Sequence, residues 1–474
     1  MKPKRLLLAC AATLSLAGCA SIPPDRHPLA MRETPAELPA SIHLAREGWP
    51  EAQWWTVYGD HQLNELIGQA LARAPSLDLA AAQIAAARAA VNRAGAEQGL
   101  ETELTASAGR QRYSANGLLP PPIGGSWVGE QTVNLEARYH FDWWGRNKAA
   151  VEAAIGEVQA RRAAYAAAEQ DLSAAIAQHY FALQMLWARG ANVAQMAEKQ
   201  EAAIADRRQR MNHGLASADD LRTAEAGLLM LKKTGEQLDT EASLEREALR
   251  ALLGAGSKAL DSLKPLPLQQ APHRLPAQLG FELLARRPDL QAARWRVQAS
   301  MSRSEAAKAA FYPDLNLGAA IGLDSISVSK LLRSGSATAF FGPAISLPIF
   351  DSRRLSAQLE GARGERDVLI AEYNLAVADA VHDVARQGAA LQGIERQLAQ
   401  QAAVNATAAA VARSTERKLQ QGLADRNTLL NAELALLQLQ DLSLQLQQRQ
   451  LLAEVALTHS LGGGYRATSS LTFR

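Results

Sequence analysis

Aromatic residues are scarce in this chain: Phe, Trp and Tyr together make 5% of it. A large conventional core leans on aromatic bulk and fits poorly with that shortage, whereas abundant alanine suits long, closely packed helices. Charge of one sign is lacking too. A formal net charge of +2 gives no general attraction to nucleic acid. The small basic run Arg207, Arg208 and Arg210 reads as a solvated helix face. No pair among the 9 histidines has the spacing of helix-borne metal ligands. His179 falls in an apolar helical stripe and reads as a packed or lumen-facing residue. No phosphate-binding loop and no nucleophile elbow occurs. The reading is therefore of a protein that is not an enzyme, holds no metal or cofactor, and has no energy source of its own. Any transport must be passive.

Cysteine is nearly absent, and both copies fall near the start, at Cys10 and Cys19. Lys2, Lys4 and Arg5 form a positive region, followed by an apolar stretch from Leu6 to Ala17 that is too short for a normal membrane span. Leu16-Ala17-Gly18-Cys19 resembles the lipobox of a bacterial lipoprotein. The resemblance implies cleavage before Cys19, an N-acyl group on its amine and an S-diacylglycerol on its thiol. Ala20 follows, not Asp, which by the same resemblance favours export to the outer membrane. Cys10 would leave with the leader, so no disulfide is available and packing and assembly must stabilise the mature chain.

What the chain has is repetition. Arg210 to Glu225, RMNHGLASADDLRTAE, returns as KLQQGLADRNTLLNAE from Lys418 to Glu433. Gly214 and Gly422 suit the left-handed position past a helix end. Ser217 reads as an N-cap with Asp220 as its capping-box partner, and Asp425 takes the cap position in the second copy. Each copy is a tight turn between antiparallel helices. LARAPSL at 71–77 matches LARRPDL at 284–290, FDWWGR at Phe141 matches FDSRRL at Phe350, and LLG at 252–254 matches SLG at 460–462. The spacing drifts only from 213 to 208 residues, so a half-chain unit is duplicated.

The expected organisation is a leader over 1–18, a lipid-anchored extended tether over 19–59 and a first repeat over 60–264. A linker over 265–275, a second repeat over 276–464 and a tail over 465–474 follow. The tether is rich in proline, and Trp49, Trp54 and Trp55 pin its far end. Hairpins fall at about 101–142 and 312–350. Val133, Leu135, Ala137, Tyr139 and Phe141 alternate with polar residues, a strand with one apolar face. Gly318 and Gly322 sit in a strand pattern, so a helix-dimer motif does not apply. Pro343 and Pro348 sit awkwardly in the last strand, because each lacks a ladder donor. Long helices cover about 145–254 and 353–462, broken at the two turns. The longest pieces, about 145–211 and 353–420, each span roughly 100 Å at 1.5 Å per residue. Leu172, Ile176, Leu183 and Leu186 follow heptad-like spacing, and two leucine stripes run side by side after Asp425, which requires a packed neighbour on both sides.

Four strands cannot close a barrel, and an open sheet edge cannot sit in lipid. In a membrane, several copies must share one barrel: two would supply eight strands and three twelve. Trp143, Trp144 and Phe350 after the return strands, with Phe311 and Tyr312 before the third strand, stand where an aromatic girdle belongs. The other reading is a soluble sheet with aromatics in its core, which acylation argues against.

These features resemble the TolC-like outer-membrane efflux proteins, in the NodT-like lipoprotein branch. The resemblance runs from about Trp54 to Gly464 and is carried by the lipobox, both Gly-Leu turns, both half-repeats, FYPDLNL at 311–317 and SLGGGY at 460–465. GWPEAQWW at 48–55, ELLARRPDLQA at 282–292 and GLDSI at 322–326 look like its multidrug members. The resemblance implies a mainly α fold with a small β part, built from a duplicated long-helix unit. It implies a homotrimer with a twelve-helix periplasmic tunnel and a twelve-strand outer-membrane β-barrel. The implied partners are outer-membrane lipid, a periplasmic adaptor (membrane fusion) protein and an inner-membrane transporter. Gly214, Leu215, Gly422 and Leu423 would receive the adaptor's helical hairpins. Asp219, Asp220, Arg413, Arg417, Asp425 and Arg426 are the candidates for charge pairs that close the periplasmic gate. Thr428 and Asn431 stand where some relatives carry aspartates, so an acidic constriction is not expected there. The function so read is the passive, gated outer-membrane conduit of a drug-efflux system. A conduit for secreted peptides or proteins fits the same sequence, and a coiled-coil spacer between envelope layers is the rival from another class. A spacer would have no use for two amphipathic hairpins.

Overall fold

The structure is a computed structural model that describes residues 22–32, 48–267, 280–348 and 350–466. The leader, Cys19, most of the 265–275 linker, Ile349 and the tail beyond 466 lie outside the described residues. Ahead of the first helix, a 3-10 turn covers Trp54–Tyr58. The elements that follow are α1 (His61–Arg73), α2 (Pro75–Ala96), β1 (Leu100–Arg112), β2 (Trp127–Phe141), α3 (Arg146–Asn212) and α4 (Ala218–Leu253). The same order then recurs as α5 (Gly280–Arg286), α6 (Pro288–Ala309), β3 (Asp314–Ser325), β4 (Ala337–Ser346), α7 (Ser352–Gln420) and α8 (Arg426–Ser460). The long helices α3 and α7 run unbroken for 67 and 69 residues.

The chain divides into two compact units. The first comprises residues 1–31, 84–161 and 293–373. It holds a single antiparallel sheet in the order β1-β2-β3-β4, so the two hairpins join through β2 and β3. Pro343 lies in β4, an edge strand where a missing donor is tolerated, and β4 ends before Leu347 and Pro348. Phe311 does not join a girdle. It is 2% exposed and packs with Leu355 and Leu359, because the turn after α6 aims its ring at the first turns of α7. Ile22 packs on the same cluster. Asp25 accepts from Arg366, and the Pro23 carbonyl accepts from Arg363, so the start of the described chain is clamped onto α7.

The second unit comprises residues 32–83, 162–292 and 374–474. Its core gathers Leu172, Ile176, Leu183 and Leu186 of α3 with Leu238 and Leu249 of α4, and Leu437 and Leu451 of α8. Trp54 and Trp55 are buried there, while the Arg286 guanidinium lies over the Trp49 ring at 4.9 Å. The helix α8 has neighbours on both sides. Arg189 of α3 makes a two-pronged contact with Asp441 at 3.0 and 3.2 Å, and Gln401 of α7 donates to the Leu439 carbonyl at 3.0 Å. The return helix of the second repeat thus packs on the long helix of the first. His179 is not enclosed in the apolar stripe: its Nδ1 lies 2.6 Å from Glu245 of α4, partly exposed. Residues 264–266 run past two glutamines that read them like a strand partner. Gln62 and Gln184 both donate to the Lys264 carbonyl, and they accept from the Lys264 and Leu266 amides respectively.

Candidate functional site

Two places carry functional geometry, the paired turns in the second unit and the sheet in the first. At the first turn the Leu215 amide reaches back to the Arg210 carbonyl at 2.8 Å, and Gly214 sits at φ 72°. At the second, the Leu423 amide reaches the Lys418 carbonyl at 2.7 Å, and Gly422 sits at φ 75°. Positive φ is why glycine stands at both positions; a Cβ there would meet open space. The next residues, Leu215 and Leu423, are 70% and 73% exposed. Two matching turns therefore each present a bare backbone beside one uncovered leucine.

The caps form as the residue types require. Ser217 and Asp220 make a reciprocal box, each accepting from the other's backbone amide at 3.1 Å. These bonds to Ser217 hold the Asp220 carboxyl below the usual carboxylate range. Asp425 accepts from the Thr428 amide at 2.8 Å and from its hydroxyl at 2.5 Å. Arg210 Nη1 also donates to Asp425, at 2.6 Å. The Thr428 bonds first, then Arg210, hold the Asp425 carboxyl down to about 2.

Of the six charged gate candidates, only Asp425 bridges the two repeats. Asp219 pairs with Arg222 in its own first turn, and Asp220 is occupied by Ser217. Arg413, Arg417 and Arg426 are exposed and make no ion pair among the described residues. The partner that the sequence reading passed over is Arg210. Its run is not a merely solvated face, since Arg208 reaches Glu225 at 3.0 Å and Arg210 reaches Asp425. The available signal was position: Arg210 is the residue whose carbonyl closes the first turn.

The sheet is built differently from a soluble one. Directly opposed residues of an antiparallel ladder share a face, so the register assigns every side chain. Leu104, Leu135, Ile321 and Ala339 share one row, and Ala106, Val133, Leu323 and Ala337 the next. That face is apolar across all four strands. The other face holds Glu101, Glu103, Glu130, Glu136, Asp314 and Asp324, with Arg138 and His140. Among the described residues nothing covers the apolar face: every residue of β1 is exposed, and Ile321 and Phe341 are 62% and 75% exposed. Below it, Trp144 stacks on Tyr312 at 4.5 Å and donates to the Pro313 carbonyl, and Tyr139, Phe141 and Trp143 form an edge-to-face row. No described helix is long and apolar enough to cross a membrane.

The chain belongs to the outer membrane efflux protein family, which it matches over residues 66–255 and 279–463, one span per repeat. It is 35% identical over 473 residues to the multidrug resistance outer membrane protein MdtP of Escherichia coli K12, covering 97% of each chain. It is 36% identical over 465 residues to the putative multidrug resistance outer membrane protein MdtQ of Shigella flexneri, covering 96% of each. Among solved structures it resembles the outer membrane protein VceC of Vibrio cholerae, with a TM-score of 0.79 and 32% identity over 88% of this chain and 100% of that one. The outer-membrane channel OprN is similar as well, with a TM-score of 0.81, 25% identity, and coverage of 94% and 99%. The protein is accordingly an outer-membrane efflux channel component and not an enzyme.

Proposed function

We propose that the protein is the outer-membrane conduit of a three-part drug-export assembly, working as a homotrimer. The observation that carries this is the sheet: among the described residues one apolar face is left uncovered, and two edges, β1 and β4, are left unpaired. Lipid satisfies the first, and only further copies satisfy the second. A barrel of eight strands is filled by its own side chains, whereas twelve leave an open interior, so three copies suit a channel and two do not. The carboxylate-bearing face then lines the pore. The four long helices α3, α4, α7 and α8 of each copy would supply a twelve-helix tunnel.

The turns at Gly214-Leu215 and Gly422-Leu423 are the docking points for an adaptor's helical hairpins, the leucines serving as apolar anchors and the glycines permitting close approach. Arg210–Asp425 ties the two turns of one copy. Arg413, Arg417 and Arg426, without an ion pair among the described residues, would meet carboxylates of a neighbouring copy, which gives the closed gate its charge pairs. Multidrug cargo is supported by the names of MdtP and MdtQ, and the inner-membrane transporter supplies the energy. A lipid on Cys19 fits the placement of Ile22, three residues later, against Phe311 and the foot of α7.

The experiment is a planar-bilayer recording of the purified protein, with drug accumulation compared between cells that carry and lack it. Single channels from a cross-linkable trimer, and raised accumulation on loss, are expected. A stable monomer without conductance would refute the reading.

A further inference from the structure

We propose that the far rim of the apolar face, at Arg110 and Arg112, binds a phosphorylated glycolipid of the outer leaflet; this rests on the barrel reading above. The ladder register carries the argument. From β1 to β4 the apolar face holds no carboxylate, and its only two charges are Arg110 and Arg112. Both lie at the end of β1 that faces away from α2, two residues apart, so they stand roughly 7 Å from each other on one face. Both are exposed, and neither makes a hydrogen bond or ion pair through its side chain among the described residues.

Their height on the face matters. Arg110 lies opposite Gly129, and Leu100 opposite Tyr139 of the aromatic row. The ten residue steps from Gly129 to Tyr139 span roughly 33 Å along the strand, or about 25 Å across a membrane at a 40° tilt. That equals the apolar band of an outer-membrane barrel, so the guanidinium groups reach the headgroup level. Trp127, opposite Arg112 and 59% exposed, marks the same level. The β3–β4 loop at this end adds Lys330 and Arg333, exposed and likewise without an ion pair among the described residues.

The chemistry selects the ligand. A guanidinium fork matches phosphate oxygens in pairs. Immediately below lies an apolar wall for acyl chains, which a soluble anion would leave unused. A lipid with phosphate on a sugar headgroup uses both.

The test applies native mass spectrometry to the detergent-solubilised full-length trimer. The probes are bisphosphorylated lipid A, the same lipid stripped of phosphate, and inorganic phosphate as competitor. Wild type should retain the bisphosphorylated lipid, and Arg110→Gln/Arg112→Gln should bind it at least about tenfold more weakly. Arg138→Gln, on the pore face, should bind as wild type does. Stripped lipid should bind wild type and double variant equally weakly, and inorganic phosphate should displace nothing. Equal binding of bisphosphorylated lipid by wild type and double variant overturns the proposal. So does equal binding of the two lipids by wild type, a comparison that needs no variant to assemble. Displacement by inorganic phosphate overturns it too, leaving a bare anion site. Bilayer conductance of the same preparation separates the two readings: conducting trimers without lipid preference refute this inference alone, and absence of trimers refutes the barrel.

Discussion

Arg210 donates to Asp425 across 215 positions of chain, joining the residue that closes the first turn to the residue that caps the helix after the second. Each partner already has a local task, so the bridge couples the two turns. Arg210→Ala or Asp425→Ala should raise the open fraction in bilayers several-fold. Arg210→Asp with Asp425→Arg should bring it back toward wild type. Single variants that stay at the closed level would remove this pair from the gate.

The same pair makes a pH prediction. Asp425 titrates at about 2, below the ordinary carboxylate range near 4. A depressed carboxyl contributes above that ordinary value and loses its contribution as pH falls through the folded one. Closed-level conductance should therefore stay flat from pH 8 to about 5 and rise only below about 4. A rise at pH 6 would assign gating to another group.

Adjacent residues of β2 test the faces. Leu135 is on the apolar face and Asn134 on the polar one. Leu135→Arg near mid-band should cost about 2–4 kcal/mol of membrane stability, and Asn134→Arg far less. Urea titration of the reconstituted protein measures both. Equal costs would contradict the assignment of faces.

The turn glycines make a prediction without steric content. Gly214→Ala and Gly422→Ala meet no neighbour but must hold positive φ, so each should cost about 1–2 kcal/mol by strain alone. Leu215→Asp and Leu423→Asp should leave the melting temperature unchanged and abolish cross-linking to an adaptor. Thermal melts and cross-linking yields read the two effects apart.

Much of this was legible because periodicity is a one-dimensional signal. Strand alternation at Val133 to Phe141, the heptad-like run from Leu172 to Leu186 and the twin Gly-Leu turns each announce themselves within a dozen or so residues. What the sequence concealed is long-range. Nothing local says that Asp441 of α8 meets Arg189 of α3, or that two glutamines hold residues 264–266. Phe311 sits at a strand entrance as a girdle residue would, yet its turn sends it inward. Arg210 was hidden among neighbouring arginines, and only the fold shows which one faces Asp425.

The central claim is that one copy's sheet is a third of a wall. Native mass spectrometry of the detergent-extracted protein, with protease added to reconstituted vesicles, tests it most directly. The account predicts a mass of three chains and sheet segments 100–112 and 337–346 shielded by lipid. A single-chain mass with those segments cleaved would contradict it.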